Sequence, residues 1–342
     1  MDKTDLFDAF LKVAKVATPM IVTERVYNGM FNHHINSYKP LSFSLEDFPR
    51  LEREKYTFKS GKNTLVGYVY NDKNLNPDKI IVFSHGYGGG GHHTYLDLIN
   101  AFCKRGFYVF GYDATANDES EGEKLRGFTQ GYLDADEAIS FIESNKKYNK
   151  LPLYLVGHSW GAYSSSTALK NHKNVKGVLE MSGFNKATEI FKCNGEKYAG
   201  EEADKFMIYV DTYEKMLFGN DSNNEALDAF KNSNAKIAIV HSKDDNTVPI
   251  EAGYNKYYEA FKNDPRFLFI KYQNKGHGTV YYSTEGKEYY DSFNAYLKSI
   301  VKQEKMTDEE KENYIKTHLN RSIWNNMVNE ELIDKVITFW LS

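Results

Sequence analysis

An apolar run, Leu151-Pro152-Leu153-Tyr154-Leu155-Val156, passes directly into Gly157-His158-Ser159-Trp160-Gly161 and then into the helical pattern of residues 162–170. A strand that reverses into a helix within five residues leaves the serine on a sharp turn with unfavourable backbone angles. Glycines on both sides let strand and helix approach each other. The serine hydroxyl is then lifted clear of the sheet at the positive end of a helix. Few architectures contain such a turn, and it is most at home in a parallel sheet flanked by helices.

The rest of the chain keeps the same rhythm. Strand patterns are expected at 65–70, 79–85, 106–113, 151–158, 175–183, 235–242 and 267–272, several of them apolar almost throughout, as in strands covered on both faces. Helical patterns fall at about 93–104, 131–146, 160–170, 251–263 and 286–301. Between residues 184 and 234 the alternation stops. Ala203, Phe206, Met207, Val210, Tyr213 and Leu217 there recur at helical spacing, with Gly219 as a C-terminal cap. This reads as a helical cap inserted over one edge of the sheet. The N-terminal fifty residues begin with a helix striped by Leu6, Phe10, Val13 and Ala17 and ended near Pro19. The last forty hold two more, one opened by the Thr307/Glu310 capping box and one with a face of Leu332, Ile333, Val336, Ile337 and Trp340. The expected division is an N-terminal helical extension (1–50), an α/β core (51–183 and 235–303), a helical cap (184–234) and a C-terminal helical extension (304–342).

Composition narrows the function. Of 342 residues, 43 are Lys or Arg and 47 are Asp or Glu, a net charge of −4 without long runs of either sign. Phosphate binding requires a basic surface, so nucleic acid is not an expected partner. Two cysteines, Cys103 and Cys193, far apart in sequence, exclude a disulfide framework and a cysteine zinc site. The first 25 residues carry acids from Asp2 onward and their longest uncharged stretch is Val16 to Thr23, which reads as neither signal peptide nor membrane span. A cytoplasmic protein with no integral membrane segment is expected.

A serine hydroxyl is a poor nucleophile until a base takes its proton, and that base needs an acid to orient it. After the strand at 235–242 comes Asp244-Asp245-Asn246-Thr247-Val248-Pro249, and after the strand at 267–272 comes Gly276-His277-Gly278. Both lie at the carboxyl ends of strands, where open α/β sheets place their sites. Ser159, Asp245 and His277 are therefore the candidate nucleophile, orienting acid and base, with Asp244 as the competing acid. The loop Ser84-His85-Gly86-Tyr87-Gly88-Gly89-Gly90-Gly91 supplies an oxyanion hole, formed by the backbone N–H groups of Tyr87 and Trp160. That loop lacks the Lys-Ser/Thr pair of a phosphate loop. His33-His34 and His92-His93 read as surface or packing histidines rather than metal ligands, since no carboxylate or cysteine falls at ligand spacing.

With these motifs in this order, the chain resembles the α/β-hydrolase superfamily. Within it, residues 55–300 look like bacterial serine hydrolases grouped with serine aminopeptidases and monoacylglycerol lipases. The stretch Tyr112-Asp113 through Ser120-Glu121-Gly122 is similar to the family's D-x-R-G-x-G-x-S-x-G segment, but its central arginine and glycine are replaced. The resemblance implies two-step acyl transfer by Ser159, His277 and Asp245 with neither metal nor organic cofactor. The expected partner is a small-molecule acyl substrate, first a carboxylic ester of small to medium size, with Phe184, Phe191, Phe206 and Met207 as lining. Amide or peptide hydrolysis is the alternative, for which Glu201, Glu202 and Asp204 could hold a substrate amine. A non-catalytic binding protein of the same fold, and a lipid-interfacial role for the first helix, are less favoured. The sequence leaves the oligomeric state open.

Overall fold

The computed structural model describes residues 19–199 and 202–342. Eight strands form one sheet: β1 (Leu51–Ser60), β2 (Asn63–Asp72), β3 (Lys79–Ser84), β4 (Phe107–Tyr112), β5 (Leu153–His158), β6 (Val175–Met181), β7 (Lys236–Ser242) and β8 (Phe267–Tyr272). Their order is β1-β2-β4-β3-β5-β6-β7-β8, antiparallel where β2 meets β1 and β4 and parallel everywhere else.

The near-continuous apolar strands follow from cover on both faces. Ile80 and Val82 of β3 point into one core with Leu155, Val178, Ile237 and Ile239; that face is closed by the helices Thr129–Ser144, Trp160–Ala168 and Tyr254–Phe261. Ile81 and Phe83 point the other way, with Val156, Leu179, Ala238 and Val240, beneath the helices Leu96–Cys103, Thr284–Glu304 and Glu330–Leu341. Trp340 of the last helix packs against Phe102, Phe107 and Tyr154, and a Cβ on Gly177 would lie 2.5 Å from its ring. The C-terminal extension is thus part of the core. Arg321 ties it to residues 40–42 by donating to the Pro40 and Ser42 carbonyls.

Two elements depart from the sequence reading. Strand β1, Leu-Glu-Arg-Glu-Lys-Tyr-Thr-Phe-Lys-Ser, carries too many charges to look like a strand, yet it is an edge, where exposed charge discourages pairing with other chains. The helix Pro19–Phe31 is a second element that the sequence reading did not place. The expected stripe Leu6, Phe10, Val13 and Ala17 lies outside the described residues.

Between β6 and β7 come the helices Glu189–Ala199, Glu202–Phe218 and Ala226–Lys231. Glu202–Phe218 packs on Pro19–Phe31 through Tyr213 and Tyr27, whose ring centroids are 4.9 Å apart, and Gly219 ends it at φ +60°. Among the described residues, no helix is long and apolar enough to cross a membrane.

Candidate active site

Ser159 follows β5 and precedes the helix Trp160–Ala168 with φ 57° and ψ −120°. A non-glycine residue rarely adopts such angles, and the surroundings enforce them. Its N–H donates to the Met181 carbonyl (2.8 Å). A Cβ on Gly161 would lie 2.0 Å from the Ser84 carbonyl oxygen, and one on Gly157 2.3 Å from that of Gly161. Strand and helix could not approach this closely with any larger residue at either position.

The loops after β7 and β8 bring two further groups to the serine. His277 Nε2 lies 2.8 Å from Ser159 Oγ, and its Nδ1 lies 2.7 Å from Asp245 Oδ2. The other carboxylate oxygen of Asp245 accepts the N–H groups of Thr247 (2.9 Å) and Val248 (2.8 Å). Burial pushes this carboxyl up, but hydrogen bonds from His241 and His277 outweigh it and hold the group well below the usual carboxylate range. Of the two adjacent acids, then, Asp245 faces the imidazole. Asp244 instead accepts from the Ser242 hydroxyl and the Gly276 N–H (2.9 Å), shaping the loop that carries His277.

On the opposite side of the serine, the loop after β3 runs Gly86 to Gly91, with Gly88 and Gly90 at φ 89° and 94°. Among the described residues, neither the Tyr87 nor the Trp160 N–H donates to a protein acceptor. The Tyr87 hydroxyl is anchored on the Met30 carbonyl, and its ring packs against Phe128 and Trp160. Sequence reasoning passed over His158, which joins the two sides. Its Nε2 lies 3.0 Å from the His277 carbonyl, and its Nδ1 lies 2.9 Å from the Tyr95 hydroxyl, which accepts the Gly86 N–H. Burial pushes the His158 imidazole down to about 3, so it is neutral.

The residues expected to line a pocket separate into two groups. Phe184 is buried, stacked on Tyr163 and edge-on to Phe128; Phe191 packs on Phe128 and Tyr27. Phe128 contacts Tyr87 in turn, so these rings form an aromatic wall that reaches the loop after β3, together with Phe31 of the helix Pro19–Phe31. Phe206 is half-buried. Met207 instead lines a surface cleft of about 270 Å³ with Asn185, Glu189 and Asp211. A second cleft, of about 400 Å³, lies beside Lys275 and Lys287, and Ser159 lines neither.

The fold corrects one argument about the paired histidines. A carboxylate far away in sequence, Asp113 at the end of β4, does reach His92 (2.6 Å), and with His93 the three bring possible ligand atoms within 4.8 Å of one another. Both imidazoles already have protein partners: His92 also bonds the Tyr70 hydroxyl (2.8 Å), and Arg53 donates to His93 (2.9 Å). His34 bonds the Asp118 and Gly122 carbonyls.

The family model described as "Serine aminopeptidase, S33" matches residues 75–195. An esterase of Pyrococcus furiosus superposes with a TM-score of 0.54 at 16% identity, covering 76% of this chain and 94% of that one. The protein has the α/β-hydrolase fold. An acylaminoacyl peptidase of Pyrococcus horikoshii is similar to this α/β-hydrolase-fold chain with a TM-score of 0.51 at 18% identity, over 68% of this chain and 38% of that one. A monoglyceride lipase homologue of monkeypox virus is 27% identical over 121 residues, 34% of this chain. That match spans 43% of the viral protein, less than half its length.

Proposed function

We propose that the protein is a serine hydrolase that cleaves carboxylic esters with small to medium acyl groups. One observation carries this reading: the chain from Ser159 Oγ through His277 to Asp245, at 2.8 and 2.7 Å, begins at a serine held in a strained turn. His277 Nε2 takes the Oγ proton as Ser159 attacks the substrate carbonyl. The imidazolium formed is stabilised by Asp245 and returns the proton to the departing alcohol, leaving an acyl-Ser159 ester. Water, activated by the same imidazole, then releases the acid. The Tyr87 and Trp160 N–H groups, uncommitted elsewhere, hold the oxyanion, each donor worth roughly 3 kcal/mol of transition-state stabilisation. The segment at 184–234 serves as a cap, and the wall formed by Phe128, Phe184 and Phe191 receives the acyl group.

Ester rather than amide substrates fit the acids between β6 and β7. Asp204 is exposed and paired with Lys192 (3.1 Å), while Glu201 lies outside the described residues. The acid on that helix that does point inward is Glu214, and burial pushes its carboxyl up to about 8, leaving it without the charge that would hold a substrate ammonium. The local similarity to a monoglyceride lipase homologue is in line with an ester.

The test is hydrolysis of p-nitrophenyl esters of increasing chain length. Turnover is expected with a maximum at short to medium chains. Equal inertness across the whole series, with amides cleaved instead, would overturn the ester assignment.

A further inference from the structure

The acid that orients His277 is shared with a second imidazole. His241, near the end of β7, has its Nε2 3.4 Å from Asp245 Oδ2 and 3.0 Å from the Val248 carbonyl oxygen. Both neighbours are acceptors, so Nε2 carries the proton and donates to both. Asp245 is therefore gripped at four points: two amides on Oδ1, and the His277 and His241 imidazoles on Oδ2.

Behind His241 lies a carboxyl with no evident structural task. Glu180 of β6 is paired in register with Ile239, two residues before His241, so the two side chains share one face of the sheet. Glu180 is fully buried with the Gly183 backbone as its hydrogen-bonding neighbour, and among the described residues His241 Nδ1 has no hydrogen-bond partner. The carboxyl packs tightly enough on Gly183 that a Cβ there would lie 2.1 Å from Glu180 Oε1. An ionised carboxyl is costly to bury, so Glu180 favours its protonated form. Burial moves Glu180 up to about 7; burial pushes His241 down, but Asp245 and Glu180 outweigh it and raise the imidazole. Other polar groups on the elements packed around the pair, among the described residues, are Lys271, the register partner of His241 on β8, Tyr254 and Tyr257 on the helix Tyr254–Phe261, and His158 on β5.

We infer that His241, backed by Glu180, is a positioning residue of this hydrolytic site: it fixes the Asp245 carboxylate from behind and draws part of its charge away from His277. The inference rests on the proposed roles of Ser159, His277 and Asp245. Its electrostatic sign is definite. As pH falls, His241 gains cationic character, the pull of Asp245 on the His277 imidazolium weakens, and His277 stays neutral to lower pH than Asp245 alone would permit. The device therefore extends activity toward acid.

The experiment measures kcat and KM for ester hydrolysis from about pH 5 to pH 9, normalised to the fraction of enzyme labelled by a fluorophosphonate. The variants are His241→Leu, His241→Gln and Glu180→Gln. In His241→Leu, kcat should fall about tenfold with KM little changed, and the acidic limb of the kcat/KM profile should move up by about half a pH unit or more. The amide donor of His241→Gln should restore most of kcat, a recovery that packing alone would not give. Glu180→Gln removes the negative charge that Glu180 gains above about pH 7, and should move the limb in the same direction by less, with a smaller change in kcat. An unmoved limb in both His241→Leu and Glu180→Gln overturns the inference while leaving the hydrolase reading intact. A wild type that takes no label at Ser159 refutes the hydrolase reading, and this inference with it.

Discussion

The Nε2 of His158 lies 3.0 Å from the backbone carbonyl of His277, so the residue before the elbow serine grips the loop that carries the serine's partner. Because His158 also reaches the loop after β3 through Tyr95 and Gly86, one neutral imidazole sets the spacing of both sides of the site. His158→Ala should lower kcat/KM by about 10- to 100-fold through misplacement of reacting groups. The loss should be the same across neutral pH, since the His158 imidazole, pushed down to about 3 by burial, does not titrate there. Steady-state kinetics at several pH values checks both points, and a loss that deepens as pH falls would show that His158 acts as a titrating group.

The two adjacent acids should behave very differently. Asp245→Asn removes the charge beside His277 Nδ1 and should cost about 10⁴-fold in kcat, as in other Ser-His-Asp sites. Asp244→Asn only loosens the Gly276 turn and should cost less than about tenfold. Comparable losses in the two variants, measured on the same ester, would contradict the assignment.

At Gly161 the difficulty is steric rather than chemical. With a Cβ 2.0 Å from the Ser84 carbonyl, Gly161→Ala must separate the elbow from β3. A destabilisation on the order of 3 kcal/mol, or failure to fold, is expected in urea titration. Gly89→Ala has open space at its Cβ and should unfold like wild type.

Glu214 makes stability depend on pH with a definite sign. Burial holds its folded-state pKa at about 8, above the ordinary 4.5, so the folded protein keeps a proton that the unfolded chain gives up. Stability contributed by the neutral carboxyl is complete below about pH 4.5, is lost as pH rises, and is gone above about pH 8. Glu214→Gln should therefore melt close to wild type near pH 5 and above it near pH 9, by an amount on the order of a few kcal/mol at most. A variant less stable than wild type at high pH would mean that the carboxylate has a partner in the fold.

What could be read in the chain was local. The elbow is legible because strand, turn and helix are contiguous, and His277 and Asp245 because each follows an apolar strand. What escaped depends on packing between distant segments. Glu214 falls on the same helical stripe as Met207 and Val210, and a polar residue in an apolar stripe was the available signal that it points inward. The pairing of His92 with Asp113 had no signal, since 21 residues and a strand separate them. The sharing of Asp245 between His241 and His277 needed the β7 loop to fold back on its own strand. Strand β1 was hidden by its charges, which mark its place at the edge of the sheet.

The central claim is that Ser159 is the nucleophile, and covalent trapping tests it most directly. The intact protein is treated with a fluorophosphonate, and the modified peptide is identified by mass spectrometry in wild type and Ser159→Ala. The account predicts one adduct per chain, located on Ser159, absent from the variant, and formed in proportion to the loss of esterase activity. An adduct that persists in Ser159→Ala, or a folded wild type that hydrolyses esters while remaining unlabelled at Ser159, would contradict it.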